Sequence, residues 1–275
     1  MNTQPLDQLS DSSTAFLRPY LPPSAPSDRL FVTLTYAASL DSRIAVGHGQ
    51  RTYLSGPESK CMTHYLRAHH DGILVGVNTL LADNPSLNCR YPVAGKSYVE
   101  ASPRPIIIDP TFRCKIGASS NMMMAAANKI GKEPWILVSS QWLQSVSPTD
   151  LGHIQFLEGM GARVIPITGL QSDDRNASWA AILESLKRLG LRSLMVEGGA
   201  QVINDLLLTT ANDVNRTKIS PVDVVIVTIA PVYLGKNGVE VSPTTAIDSL
   251  YDITWERFGR DIVMASFNNK SRLDP

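Results

Sequence analysis

Gly72-Ile-Leu-Val-Gly76 runs into Thr79-Leu-Leu-Ala-Asp83-Asn-Pro-Ser-Leu87-Asn-Cys-Arg90. A short apolar run that empties into a hydroxyl, a carboxylate, a proline and an arginine reads as a buried strand followed by a polar exit loop. In an α/β sheet, ligands sit beyond the carboxyl ends of the strands, so such an exit is where chemistry is expected. A second exit, Ser193-Leu-Met-Val-Glu197-Gly-Gly-Ala-Gln-Val-Ile, has the form strand, acid, two glycines, helix. Together they suggest a site that holds a nucleotide phosphate beside a small polar substrate.

Working outward, Phe31–Tyr36, Pro105–Asp109, Trp135–Ser139, Arg163–Pro166, Leu194–Val196 and Val222–Ile229 read as further strands. Most are apolar on both faces, as strands covered by helices on either side must be. Ser55-Gly-Pro57-Glu58 reads as a capping box opening a helix to about His69. Trp179, Ile182, Leu183, Leu186 and Leu189 make one apolar helical face. A third helix is expected from Gly199 to about Leu208. Alternating strands and helices predict an α/β fold with a mostly parallel central sheet and helices on both faces. Val222–Ile229 and Asp261–Phe267 have no convincing helix between them, which predicts an antiparallel C-terminal edge. Residues 1–29, rich in Ser, Pro and Asp, form an N-terminal extension in which Pro22–Ser27 reads as an extended arm or linker; residues 30–275 read as a single domain, and residues 113–132 as an inserted helix or mobile loop.

Composition bounds the function. The chain has 275 residues, is 43% hydrophobic and 18% charged, and has a formal net charge of zero. That balance argues against a nucleic-acid partner, which usually demands a basic excess. The apolar runs are far shorter than the roughly 20 residues of a membrane helix, and Met1–Asp7 shows no secretory signal. Cys61, Cys89 and Cys114 are odd in number and widely spaced, fitting free thiols and a cytoplasmic location. No metal is expected, because His64 and His69 are not the i, i+4 pair that a helical zinc site uses.

Glu197-Gly198-Gly199 is the sharpest chemical signal: glycines between strand and helix let a phosphate approach the free N–H groups of a helix start. The same residues also read as a plain tight turn. No Gly-x-Gly-x-x-Gly and no Gly-x4-Gly-Lys-Ser/Thr loop occurs. Arg67 and Arg90 could clamp a phosphate from two sides. Thr79 and Asp83, four apart, share one helical face or serve as cap and turn.

At these residues the chain resembles the riboflavin-biosynthesis reductases of the dihydrofolate-reductase-like, three-layer fold. The resemblance is carried in order by Ala37-Ala-Ser39-Leu40-Asp41-Ser-Arg-Ile-Ala45, by His64 to Gly76, by Thr79 to Arg90, by Arg104–Asp109, by Val196–Gly199 and by Ile229–Gly235. It implies an NADPH-dependent reductase that converts the ribosyl group of a ribosylaminopyrimidine 5′-phosphate to ribityl. It assigns Ala37, Tyr53, Thr79, Asp83, Gly198, Gly199, Ala200, Gln201, Val202 and Ile203 to the cofactor, and Arg67, Leu87, Arg90 and Glu197 to the substrate. Glu197 and Asp41 are the carboxylates considered for proton delivery, with Glu197 equally suited to anchoring ribose and water an alternative donor. A homodimer is implied as cover for the Val222–Ile229 edge.

The zinc deaminase signature of bacterial fusions is missing. Thr35 stands where bacterial members usually carry lysine, so the stand-alone fungal reductases, which act on the still-aminated base, look closer. Two rivals stay open: a pterin or folate reductase of the same fold, and a non-catalytic NADP-binding protein.

Overall fold

The computed structural model describes residues 4–25, 27–171, 174–209, 211–212, 218–248 and 250–268. Parts of the expected N-terminal arm (Met1–Thr3 and Pro26) and the end of the expected domain (Asn269–Pro275) lie outside the described residues.

Nine strands form the central sheet: β1 (Phe31–Ser39), β2 (Gly72–Gly76), β3 (Arg104–Ile108), β4 (Trp135–Ser139), β5 (Arg163–Ile167), β6 (Ser193–Gly198), β7 (Val224–Ala230), β8 (Tyr251–Phe258) and β9 (Asp261–Phe267). Their spatial order is β8-β9-β7-β1-β6-β2-β3-β4-β5. From β7 to β5 every pairing is parallel, while β9 pairs antiparallel with both β7 and β8. The helices used below are α1 (Asp11–Leu17), α2 (Pro57–Ala68), α3 (Val77–Asp83), α4 (Asn121–Ala127), α5 (Pro148–Gly159), α6 (Arg175–Arg188) and α7 (Ala200–Leu208).

Strand alternation divides the core into layers. Val32, Leu34, Leu74, Ile106, Leu137, Leu194 and Val196 pack on one face beneath Trp179, Ile182 and Leu186 of α6 and Ile203 and Leu206 of α7. Their neighbours Ile73, Val75, Ile107, Ile136 and Val138 turn to the other face, against Met122 and Met123 of α4 and Ile154 and Leu157 of α5. Further along that face Phe31, Met195, Val224 and Ile226 meet Met62 and Leu66 of α2. Helices on both faces make the sheet three layers deep, and side-chain period 2 makes the strands apolar throughout.

Two expectations are corrected. The sheet edge is not Val222–Ile229: β7 lies between β1 and β9, and β8 is the edge strand. β8 escaped sequence reading because its residues are mostly exposed and lack an apolar run. The N-terminal extension also contains a helix, ahead of the stretch read as extended. Ser10 caps α1, and Leu17 and Tyr20 are buried beside Phe258 and Val263. The Tyr20 hydroxyl donates to the Asp252 carbonyl at 2.8 Å. Finally, Ser55 does not cap α2; Gly56 is the N-cap and no side chain from its own chain segment bonds there. The 113–132 stretch does contain a helix, α4.

The start of α2 is held instead by a distant carboxylate. Asp261, fully buried at the start of β9, accepts from the Gly56 N–H and the Ser59 hydroxyl, both at 2.7 Å. Next to it, Arg260 donates to the Leu54 carbonyl at 3.0 Å. The edge hairpin thereby fixes both α2 and the loop before it. Among the described residues no helix is long and apolar enough to cross a membrane.

Replacing Asp261 by Ala strands a buried N–H and a buried hydroxyl, so it should cost about 3 kcal/mol. Denaturant unfolding is expected to show a lower midpoint with an unchanged slope; an unchanged midpoint would remove the anchoring role.

Candidate active site

Two cavities of about 410 and 700 Å³ open at the carboxyl ends of the parallel strands. They share a wall that includes Tyr36, Ala37, Thr79, Asp83 and Glu197. Four expected residues therefore meet at one seam. The first cavity also takes Gly199, Ala200, Gln201, Val202 and Ile203; the second takes Tyr53, Arg67, Leu87 and Arg90. Tyr53 lines the second cavity and not the first, so the structure sets it apart from the other residues assigned to the cofactor.

The seam exists because β6 slips. Leu74 pairs with Val196 but Val75 pairs with Gly198, so Glu197 is the extra residue of a bulge. A bulge re-aims a side chain next to a site, and here it releases Glu197 from the ladder. Gly198 (φ 72°) and Gly199 (φ 101°) then turn the chain into α7. A Cβ on Gly198 would stand 2.5 Å from Ile203 Cγ1, and one on Gly199 would stand 2.6 Å from Thr79 Oγ1. The Thr79 hydroxyl donates to the Gly198 carbonyl at 3.2 Å, tying two strand exits together. No side chain caps α7. Its first N–H groups and partial positive charge are left for an anion. Gly198 does not itself line the cavity; it supplies the turn beneath it.

The second cavity is built on one face of α2. Arg67 is not the free clamp that its sequence position suggested. Its Nε and Nη2 donate to the two Glu197 carboxylate oxygens at 2.7 and 2.6 Å, and Nη1 donates to the Asn88 carbonyl at 3.0 Å. Two of the five guanidinium N–H donors remain.

Arg90, Lys60 and Arg51 line the same cavity, and among the described residues none of them forms an ion pair with a carboxylate. Burial lowers the Lys60 pKa, and Arg90, Arg51 and Arg67 push it further down. Burial and Arg67 likewise lower that of Arg90. Such mutual repulsion marks a cation cluster short of an anion. Lys60 and Arg51 were missed in the sequence. The signal for Lys60 was its spacing, since Lys60, His64 and Arg67 recur at helical steps; Arg51 had none.

His64 is a positioning group. Burial, followed by Arg67, Arg90 and Lys60, drives its pKa down to about 2, so the ring is neutral. Its Nδ1 accepts the Arg90 backbone N–H at 3.0 Å. Nε2 therefore carries the proton, and the Arg90 guanidinium, 3.3 Å away, meets it donor against donor. That guanidinium is left to seek another acceptor.

Asp83 ends α3, where burial raises its carboxyl pKa, offset in part by Arg51. Asn84 (φ 41°) and Leu87 (φ 54°) both adopt the left-handed region, and Leu87 is only 2% exposed. A bulky residue held there signals a loop over-determined by its surroundings. The surroundings are the inserted segment: Asn121 of α4 bonds Asn84 through its backbone N–H (3.0 Å) and its amide (2.6 Å), and Asn88 donates to the Ile130 carbonyl at 2.9 Å.

Asp41 lies elsewhere and lines neither cavity. Its carboxylate accepts from the Ser39 hydroxyl (2.5 Å) and the N–H groups of Leu234 (3.1 Å) and Gly235 (2.8 Å). These bonds, the Ser39 hydroxyl first, hold its pKa at about 2. It ties a turn and has no proton to give, which corrects its expected part in proton delivery.

The chain is 42% identical over 258 residues to a Debaryomyces hansenii protein, covering 94% of this chain and 97% of that one. It is 39% identical over 265 residues to a Saccharomyces cerevisiae protein, covering 95% and 97%. Both relatives are named 2,5-diamino-6-ribosylamino-4(3H)-pyrimidinone 5′-phosphate reductase. The structure of the riboflavin biosynthesis reductase Rib7 from S. cerevisiae superposes with a TM-score of 0.71 at 36% identity, covering 94% of this chain and 99% of that chain. Residues 30–264 match the model of the RibD C-terminal domain, the family to which this chain belongs.

Proposed function

We propose that this chain is an NADPH-dependent reductase that converts the ribosyl group of 2,5-diamino-6-ribosylamino-4(3H)-pyrimidinone 5′-phosphate to ribityl. The observation that carries this reading is the shared wall. A diglycine turn with an uncapped helix start lies on one side of Glu197, and an unneutralised cation cluster lies on the other. A nucleotide phosphate fits the first and a sugar phosphate the second, with their reactive ends meeting at the seam.

Bound there, NADPH would supply a hydride to C1′ of the substrate, whose glycosylamine ring opens to an iminium as its ring oxygen is protonated. The remaining tasks belong to the protein. Gly199 lets the Thr79 hydroxyl approach closer than a Cβ would allow, and the α7 N-terminus would meet the pyrophosphate. Arg90, Lys60 and Arg51 grip the 5′-phosphate. Arg67 fixes Glu197 through both oxygens, so Glu197 orients a ribose hydroxyl. Asp83, whose pKa is raised by burial, delivers the proton to the ring oxygen as the ring opens. Holding donor and acceptor carbons in contact supplies much of the acceleration. Thr35, buried in the second cavity, suits an amino group on the base. A second copy of the chain is the partner for the β8 edge, where Ile253 and Trp255 stand 47% and 54% exposed.

The reading is tested by following NADPH absorbance with the aminated substrate beside its deaminated and dephosphorylated forms. Fastest turnover of the aminated phosphate is expected; binding without oxidation would leave a non-catalytic protein. Asp83→Asn should lower kcat about 10²- to 10³-fold with little change in KM. Because a raised carboxyl is protonated below its folded pKa, wild-type turnover should fall as pH rises through that value, and the variant should lose that limb. Lys60→Ala should raise the substrate KM about 10-fold and spare kcat, as expected for a grip made equally in ground and transition states.

A further inference from the structure

Residues 4–9 run ahead of the family match at residues 30–264 and line neither cavity. They nonetheless reach the substrate cavity from behind its wall. The Leu6 N–H donates to the Arg90 carbonyl at 3.2 Å, the Cys61 thiol donates to the Asp7 carbonyl at 2.8 Å, and the Leu9 N–H donates to the Tyr91 hydroxyl at 3.3 Å. These contacts join the start of the chain to α2, which carries Cys61, and to the loop that carries Arg90. Leu6 and Leu9 pack on the cluster of Cys61, Cys89, Tyr91 and Ala101, with Tyr65 of α2 beside them. The Tyr65 and Tyr91 rings meet edge to face at 5.2 Å.

The segment is anchored at its other end. Ser10, directly after Leu9, caps α1 by accepting the Ser13 N–H at 3.2 Å. Leu17 and Tyr20 are buried against Phe258 and Val263 of the β8–β9 hairpin. Because α1 is already fixed there, only the few residues ahead of it must be ordered for the bonds to the loop to form.

What the segment touches decides its use. The Arg90 peptide is bonded on both sides, its N–H to His64 Nδ1 at 3.0 Å and its carbonyl to Leu6. Before Arg90 the loop is tied through Asn88 and Cys89 to Ile130 and Ser102. At the Arg90 carbonyl and the Tyr91 hydroxyl the partners are Leu6 and Leu9. The Arg90 guanidinium shares its cavity with Lys60 and Arg67. Repulsion of that kind favours any shift that separates the charges, so the position of Arg90 depends on what holds its backbone. We propose that Leu6–Leu9 is a brace that positions Arg90 for the substrate's phosphate, so that chain lying ahead of the family domain belongs to the substrate site.

The brace rests on the substrate reading above, so its test pairs turnover with measurements that need none. In the full-length protein, Tyr91→Phe keeps the ring and removes only the acceptor of the Leu9 N–H. It should raise the KM of the pyrimidine phosphate about 5-fold, the worth of one neutral hydrogen bond. The kcat and the KM of NADPH should stay unchanged, because the grip is equal in ground and transition states. Leu6→Ala with Leu9→Ala should raise the substrate KM about 10-fold, as expected when half-buried leucines are cut back. Leu6→Met with Leu9→Met refills the volume and should restore it. Ribose 5-phosphate, followed by calorimetry, should lose affinity by the same factors. Cys61 and Cys89, 5% and 0% exposed in the cluster under the brace, should react faster with a thiol reagent in the double alanine variant. Cys114, 0% exposed in another core layer, should not. A fall in kcat beside the rise in KM, equal acceleration at all three thiols, or faster labelling of Cys61 and Cys89 with unchanged KM and ribose 5-phosphate affinity leaves Leu6–Leu9 a stabilising element only and overturns the proposal. If wild type binds ribose 5-phosphate but turns over no pyrimidine, and the variants weaken that binding, the reaction assignment fails and the brace stands.

Discussion

The two bonds between Arg67 and Glu197 join elements that would otherwise be independent. One partner comes from the covering helix α2, the other from a bulge in the central strand β6. Both side chains are largely buried, at 12% and 17% exposure. Bringing two charges out of water is costly, and only bidentate geometry with further hydrogen bonds offsets the loss. The third bond, to the Asn88 carbonyl, supplies part of that and draws in the loop after α3. One ion pair thus sets the mutual positions of α2, the β6 exit and the loop after α3.

Fixing Arg67 in this way redistributes the other charges. A guanidinium spent on a carboxylate has little left for a second anion, so under the proposed function the phosphate grip would pass to Arg90, Lys60 and Arg51. These repel one another, and the protein holds them together with rigid scaffolding. His64 pins the Arg90 backbone, and Asp261 pins the start of the helix that carries Lys60. The whole chain has no net charge, so attraction of an anion is local. A field made by a few cations in a concave, partly desolvated wall acts over a short range and is weakly screened there.

How much of this was legible in the sequence depended on where each cause resides. The parallel strands were readable because burial on both faces leaves a continuous apolar run, and Gly72–Gly76 and Trp135–Ser139 have the expected bounds, as does the antiparallel Asp261–Phe267. β8 was not, since an edge strand facing solvent has no such run. Ser55 carried a capping pattern, yet the side chain that holds this helix start is Asp261, 205 residues from Gly56. Local pattern cannot report a partner that only the fold brings near. The same holds at the site. Arg67 and Glu197 were both singled out, but their separation of 130 positions hid that they bind each other. Asp41 had the right chemistry on a strand exit and the wrong direction, its carboxylate committed to the turn at Leu234 and Gly235.

Backbone strain marks the functional rim more sharply than residue type does. At the β6, β2 and β3 exits the chain enters the left-handed region at Gly198 and Gly199, at Asn84 and Leu87, and at Phe112. Glycine adopts it freely; buried Leu and Phe do so only because neighbours leave no other fit. For Leu87 the neighbours are the inserted α4 and the Asn88–Ile130 bond; for Phe112 they are the Trp142 ring, 5.6 Å away, and the rest of that core layer. Each strained turn redirects the next polar residues across the strand ends. A parallel sheet is stiff and its exits diverge, so polar groups from separate strands converge on one ligand only if the connecting loops bend back sharply. The inserted segment at 113–132 is therefore part of the catalytic scaffold: it carries no reacting group, but without its contacts the exit loops have no reason to hold the conformations that close the two cavities.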